Sequence, residues 1–103
     1  MAALMRWIVE HPEITQPLLD VWGLPTYSLS IYGPNARSVP ITSSVKMLGE
    51  PGIIGGKTGT ITPSDYNLSI LADGTGGSKR VAVILRSASD ADRYSAMRFA
   101  LSQ

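Results

Sequence analysis

Gly52-Ile53-Ile54-Gly55-Gly56-Lys57-Thr58-Gly59-Thr60 is the stretch on which the reading of this chain turns. It reads as a glycine-dense entry into a strand, and Ile61, Thr62 and Pro63 close it. Downstream, residues 66–72 have the composition of a second strand. Asp73-Gly74-Thr75-Gly76-Gly77-Ser78 then supplies the residues of a hairpin loop. Residues 80–86 hold Val81-Ala82-Val83-Ile84-Leu85, a continuous apolar run typical of a strand covered on both faces. Ser89 and Asp92 stand three apart ahead of a helical pattern, a weakened capping box with Asp in the place of Glu. Tyr94, Met97 and Leu101 fall on one face of that helix. The second half therefore predicts strand, strand, strand, helix: an antiparallel meander with a helix lying across it.

Upstream of the stretch the signals are weaker. Residues 2–9 are rich in helix formers, with Leu4, Trp7 and Ile8 able to share a face. Pro12 disfavours helical geometry at His11 and ends that helix. Residues 13–22 form a short amphipathic piece with Leu18, Leu19 and Trp22, closed by Gly23 and Pro25. Residues 26–31 alternate, with Tyr27, Leu29 and Ile31 on one side, and predict a half-buried strand. Gly33-Pro34-Asn35 is a turn cluster. Residues 37–50 show no clear period and read mostly as loop.

Length and composition bound what this can be. The 103 residues make one domain, residues 1–103, and no more. Hydrophobic residues at 44% against 17% charged mark a packed chain rather than a disordered one. The net charge of +1 is scattered, which argues against nucleic acid as a partner. With no cysteine there is no disulfide and no thiolate metal site. No cluster of ligands suggests a metal, and no cofactor is expected. Residues 1–9 do not read as a signal peptide.

Lys57-Thr58-Gly59 is the triplet that carries chemistry. Three residues match by chance often, but the setting strengthens the match: a glycine-rich strand entry, Thr60 directly after, then strand, glycine-rich hairpin, strand and helix. In that order the chain resembles the penicillin-recognising serine hydrolases, in which such a triplet lies on the sheet strand lining the active site. Three further stretches extend the resemblance: Met5-Arg6-Trp7-Ile8-Val9-Glu10-His11-Pro12-Glu13-Ile14, the run from Leu48 through Gly49, Glu50 and Pro51 into the triplet, and the last strand with residues 89–93. It spans nearly the whole chain and is closest in kind to the serine-type D-alanyl-D-alanine carboxypeptidases. Two departures flank the expected cleft. Ser64-Asp65 stand before Tyr66 where the family has Ala-Gly, and Thr42-Ser43-Ser44 replace an Asn-rich segment.

The resemblance implies an α+β fold, an antiparallel sheet flanked by helices, here incomplete. It implies a parent enzyme that removes the terminal D-alanine of peptidoglycan stem peptides through an acyl-serine intermediate and is acylated by β-lactams. Such a parent works outside the cytoplasmic membrane. Lys57 would supply a fixed positive charge at the cleft. The hydroxyls of Thr58 and Thr60 would hydrogen-bond a terminal carboxylate, Gly59 would let the ligand approach the backbone, and the Thr60 N–H would face the oxyanion. The nucleophile and base, Ser-x-x-Lys, belong well upstream of the triplet, so this chain reads as the C-terminal portion of the domain and by itself inactive. Ser43-Ser44-Val45-Lys46 fits Ser-x-x-Lys literally, but Gly49, Pro51 and Gly52 follow at once and no long helix can present it; Ser43 is therefore read as a chance match. The last strand would pair with a strand outside the chain, leaving Val81-Ala82-Val83-Ile84-Leu85 as a bare edge open to association. Two other classes share these residues: a β-lactamase or esterase on the same fold, and a non-catalytic module that binds D-Ala-D-Ala.

Overall fold

The computed structural model describes residues 1–63 and 65–103; Ser64, one of the two residues noted before Tyr66, lies outside the described residues. The elements run α1 (Ala2–Glu10), α2 (Pro12–Trp22), β1 (Thr26–Ile31), β2 (Arg37–Thr42), β3 (Ile53–Thr60), β4 (Tyr66–Asp73), β5 (Lys79–Ser87) and α3 (Asp90–Leu101). The fold is α+β, with two antiparallel sheets among the described residues: β1–β2, and β3–β4–β5 in that spatial order. The strand, strand, strand, helix succession expected of the second half is present.

β4 is the centre of the larger sheet. Its register sets Lys57 opposite Ser69 and Ser69 opposite Val83, one row beside Thr58, Leu68 and Ile84. Side chains alternate between faces along a strand, so Leu68, Ile70 and Ala72 share one face with Ala82 and Ile84. Tyr94, Met97 and Leu101 of α3 cover that face, and Val45, Met47 and Leu48 from the 43–52 connection complete the core. Fully burying one such aliphatic side chain contributes about 1.5–3 kcal/mol. Leu71, without exposed surface, points to the opposite face, where Val9, Pro12, Leu19 and Ile54 line the same depression.

The helix boundaries follow the local chemistry. Ser89 caps α3, its hydroxyl accepting from Asp92 N–H at 3.1 Å. α1 ends at His11, and Pro12 starts α2 at a position where a missing N–H costs nothing. The Thr15 hydroxyl donates to the Ile8 carbonyl at 2.6 Å and ties the α1–α2 corner.

Three sequence expectations change. Residues 37–42 form β2 rather than loop, with Ile41 opposite Tyr27 and Val39 opposite Leu29. Pro40 hides this strand from pattern reading; it is accommodated because a strand in a two-stranded sheet has a side that needs no N–H donor. β1 is exposed along nearly its whole length rather than half-buried; β2 pairs with its edge, and the two form a separate two-stranded sheet. In α1, Met5 and Ile8 are the buried pair, whereas Leu4 and Trp7 face outward. Trp7 instead stacks on His11, ring centroids 4.4 Å apart.

The apolar run of β5 does lie between α3 and α1. Its burial is only partial, and Leu85 is exposed. Among the described residues β5 has β4 as its one neighbour, so its second edge is bare, and the same holds for β3.

Candidate functional site

The bare edge of β3 is where the triplet stands. A ladder bond runs from Ile61 N–H to the Asp65 carbonyl at 3.4 Å. Bonded and non-bonded pairs alternate in an antiparallel ladder. Gly59–Asn67 and Lys57–Ser69 are therefore of the bonded kind, and Thr60–Tyr66 and Thr58–Leu68 of the other. It follows that the N–H and C=O groups of Gly56, Thr58 and Thr60 point out to the open edge. Two outward carbonyls are already taken. The Trp22 indole N–H donates to Gly56 O at 2.9 Å, and the Lys57 ammonium donates to Thr58 O. The Thr58 and Thr60 N–H groups remain for an incoming acceptor.

The glycines of β3 serve different ends. A Cβ on Gly55 would fall inside the Trp22 indole, and one on Gly56 would sit 2.8 Å from both Ser69 O and Ile70 Cδ1. These two glycines let α2 and β4 pack close. At Gly59 a Cβ would meet only Asn67 Cβ, at 4.0 Å. Nothing in the packing of the described residues requires glycine there.

The strand pleat divides the polar groups. Thr58 and Thr60 project to the core face, Lys57 and Gly59 to the other. Lys57, Thr58 and Gly59 border a shallow depression of about 240 Å³ whose floor includes Ser69, Val83 and Leu85. On the core face the Thr58 hydroxyl meets that of Ser44 at 2.7 Å, and the Thr60 hydroxyl accepts from Arg93 Nη1 at 3.2 Å. Lys57, Thr58, Gly59 and Thr60 are thus brought to one edge, but the ammonium and the hydroxyls lie on opposite sides of it.

Ser44 and Arg93 hold the hydroxyl side, and sequence reading picked out neither for a role here. Arg93 has a side chain only 8% exposed. It donates to Asp90 through Nε at 2.8 Å and Nη2 at 2.5 Å, and to the Asn67 carbonyl at 3.1 Å. Its guanidinium carbon lies 5.3 Å from the Tyr66 ring centroid and 5.6 Å from that of Tyr94. A signal for it exists in the sequence: Asp90, Arg93, Tyr94 and Met97 follow helical spacing on the buried stripe, and a cation in such a stripe demands a partner. Lys46 binds the same carboxylate. Its hydrogen bond, joined by those of Arg93, holds the Asp90 carboxyl below the usual carboxylate range, and Asp90 in turn raises the Lys46 ammonium above its ordinary value.

Ser43 is placed as a turn residue. Its hydroxyl accepts from Val45 N–H at 3.1 Å, the segment is not helical, and Lys46 is engaged by Asp90 rather than by Ser43. His11 Nδ1 lies 2.7 Å from the Trp7 carbonyl at the end of α1. Among the described residues no group of three His, Asp or Glu side chains could hold a metal ion, and no helix is long and apolar enough to cross a membrane. No protein-family model, curated protein or solved structure matches the chain.

Proposed function

We propose that this chain is the carboxylate-binding portion of a serine-type D-alanyl-D-alanine carboxypeptidase domain, the nucleophile being supplied by a segment outside these residues. The observation that carries the reading is the open edge of β3. Two N–H groups without a partner among the described residues lie along it, with the hydroxyls of Thr58 and Thr60 on one side, the Lys57 ammonium on the other, and a glycine that the packing does not need between them. A peptide with a free carboxylate is the ligand such an edge fits. Its backbone would extend the sheet by strand addition, and its terminal charge would meet charged and hydroxyl donors, which bind anions more strongly than neutral groups do. In the complete domain Lys57 would hold the carboxylate and the Thr60 N–H would donate to the oxyanion of the tetrahedral intermediate. One oxyanion donor contributes about 3 kcal/mol in enzymes where it has been removed. The domain would act outside the cytoplasmic membrane on peptidoglycan stem peptides and would be acylated by β-lactams.

Binding tests the carboxylate-binding edge itself without requiring catalysis; acylation by a β-lactam in the full-length protein then separates the enzyme from a non-catalytic D-Ala-D-Ala module. An acetylated peptide ending in D-Ala-D-Ala, titrated into the isotope-labelled chain, should shift the amide resonances of residues 57–60. The shifts should vanish in Lys57→Ala and with a C-terminally amidated peptide. Equal binding of the amidated peptide, or none of the free acid at millimolar concentration, would overturn the assignment.

A further inference from the structure

We propose that Arg93 is a positioning residue for this edge: by donating to the Thr60 oxygen it fixes the Thr60 hydroxyl as a hydrogen-bond donor toward the bound carboxylate. The inference rests on the functional reading above and assigns a division of labour within that site.

The argument begins with donor chemistry. A guanidinium has N–H groups and no acceptor. In the 3.2 Å contact between Arg93 Nη1 and Thr60 Oγ1 the threonine oxygen therefore has to accept. Its own hydrogen is left over, and no other hydrogen bond to this hydroxyl is present among the described residues. A hydroxyl that accepts from a cation is polarised, and its remaining hydrogen is a stronger donor than that of a free threonine. Thr60 is exposed at the end of β3, so that hydrogen is available to a ligand. The Ser44–Thr58 pair offers no such certainty, because either oxygen there can be the donor.

Arg93 is built to hold this direction. Its side chain is 8% exposed, two of its contacts go to Asp90, and a third goes to the Asn67 carbonyl. Tyr66 and Tyr94 flank it. A planar fork pinned in this way cannot swing toward the ligand itself, and it acts on the edge through Thr60. The asymmetry also fits the chemistry of the ligand. A carboxylate offers only acceptors, so a threonine with its lone pairs turned outward would repel it; Arg93 occupies one of the two lone pairs and disfavours that orientation.

The test uses the intact chain, the same acetylated D-Ala-D-Ala peptide and two readouts. The first needs no ligand: three-bond couplings that report the Thr60 χ1 angle should show one rotamer in the wild type and averaging in Arg93→Lys. The second is affinity. Thr60→Val, a near-isosteric change at an exposed position, should weaken peptide binding about tenfold, the value of one hydrogen bond to a charged group. Thr60→Ser should stay close to wild type. Arg93→Lys should weaken binding in the wild-type background and have no further effect in Thr60→Val. Full affinity in Thr60→Val, or an Arg93→Lys loss that persists undiminished in Thr60→Val, would overturn the proposal, the latter by showing that Arg93 acts through the fold at large. If the wild type fails to bind, the functional reading falls and takes the donor role of Thr60 with it. If the wild type binds but the two substitutions do not couple, only the inference about Arg93 falls.

Discussion

The two halves of β3 are held by different physics. From Ile53 to Gly56 the strand is fixed by packing: Trp22 lies on Gly55, and Ile70 and Val45 close on Gly56. From Lys57 to Thr60 it is fixed by polar side chains that arrive from elsewhere, Ser44 from the 43–52 connection and Arg93 from α3. Glycine in the first half is a packing requirement, whereas Gly59 in the second touches almost nothing. A strand built for stability along its whole length would show the first pattern throughout. The change at Lys57 marks where apolar packing on the strand gives way to polar contacts.

The largest effect that can break this contrast is in the first half. Gly55→Ala places a methyl group inside the Trp22 indole, and overpacking of this kind costs about 2–3 kcal/mol. The thermal midpoint should fall by about 10 °C or more for a domain of this size. The loss should shrink in a Trp22→Ala background, where the clash is gone. An unchanged midpoint in Gly55→Ala alone would mean that Trp22 does not seat on the strand.

How much of this could be read in advance depended on whether the signal was local. β4, β5 and α3 announce themselves through contiguous residues: an apolar run, a glycine-rich hairpin, and Ser89 three residues before Asp92. β2 does not, because Pro40 interrupts it and Arg37, Ser38 and Thr42 give no alternation. Its strand character comes from pairing with β1 rather than from its own residues. The triplet of the site was legible as a short motif, and its placement at an open edge required only the order of strands. Arg93 and Ser44 were not legible as its supports, since they reach β3 from 33 and 14 residues away. The division of Lys57 from the two threonines was implicit in the two-residue period of a strand.

The polar half should respond to acid where the packed half does not. Asp90 holds Arg93 in place, and its carboxyl is kept below the ordinary range by the hydrogen bond from Lys46 and those from Arg93. A group with a depressed folded-state value contributes stability that is fully present above its unfolded value, about 4, and is lost as pH falls through the folded one. Below about pH 4, then, the Thr60 and Arg93 Nε resonances should move together while those of Gly55 and Gly56 stay fixed. Asp90→Asn should remove that titration. A Thr60 shift that follows the same acid profile in Asp90→Asn would assign the response to another carboxyl and cut the link between α3 and the edge.

The smallest effect on stability is the most telling for function. Gly59 has no positive φ, and a Cβ there meets only Asn67 Cβ at 4.0 Å. Gly59→Ala should leave stability within about 0.5 kcal/mol of wild type, or raise it slightly, because alanine loses less backbone entropy on folding. The same methyl group would stand beside Lys57 over the depression at the edge, where the proposed peptide would lie close to the backbone. Peptide affinity should therefore fall by at least tenfold while the melting curve does not move. The opposite pairing, a destabilised Gly59→Ala that binds normally, would make Gly59 a structural glycine like Gly55 and remove the distinction between the two halves of the strand. Stability and affinity are thus expected to separate at position 59 and to fall together at position 55, where a displaced Trp22 would also release the Gly56 carbonyl at the head of the open edge.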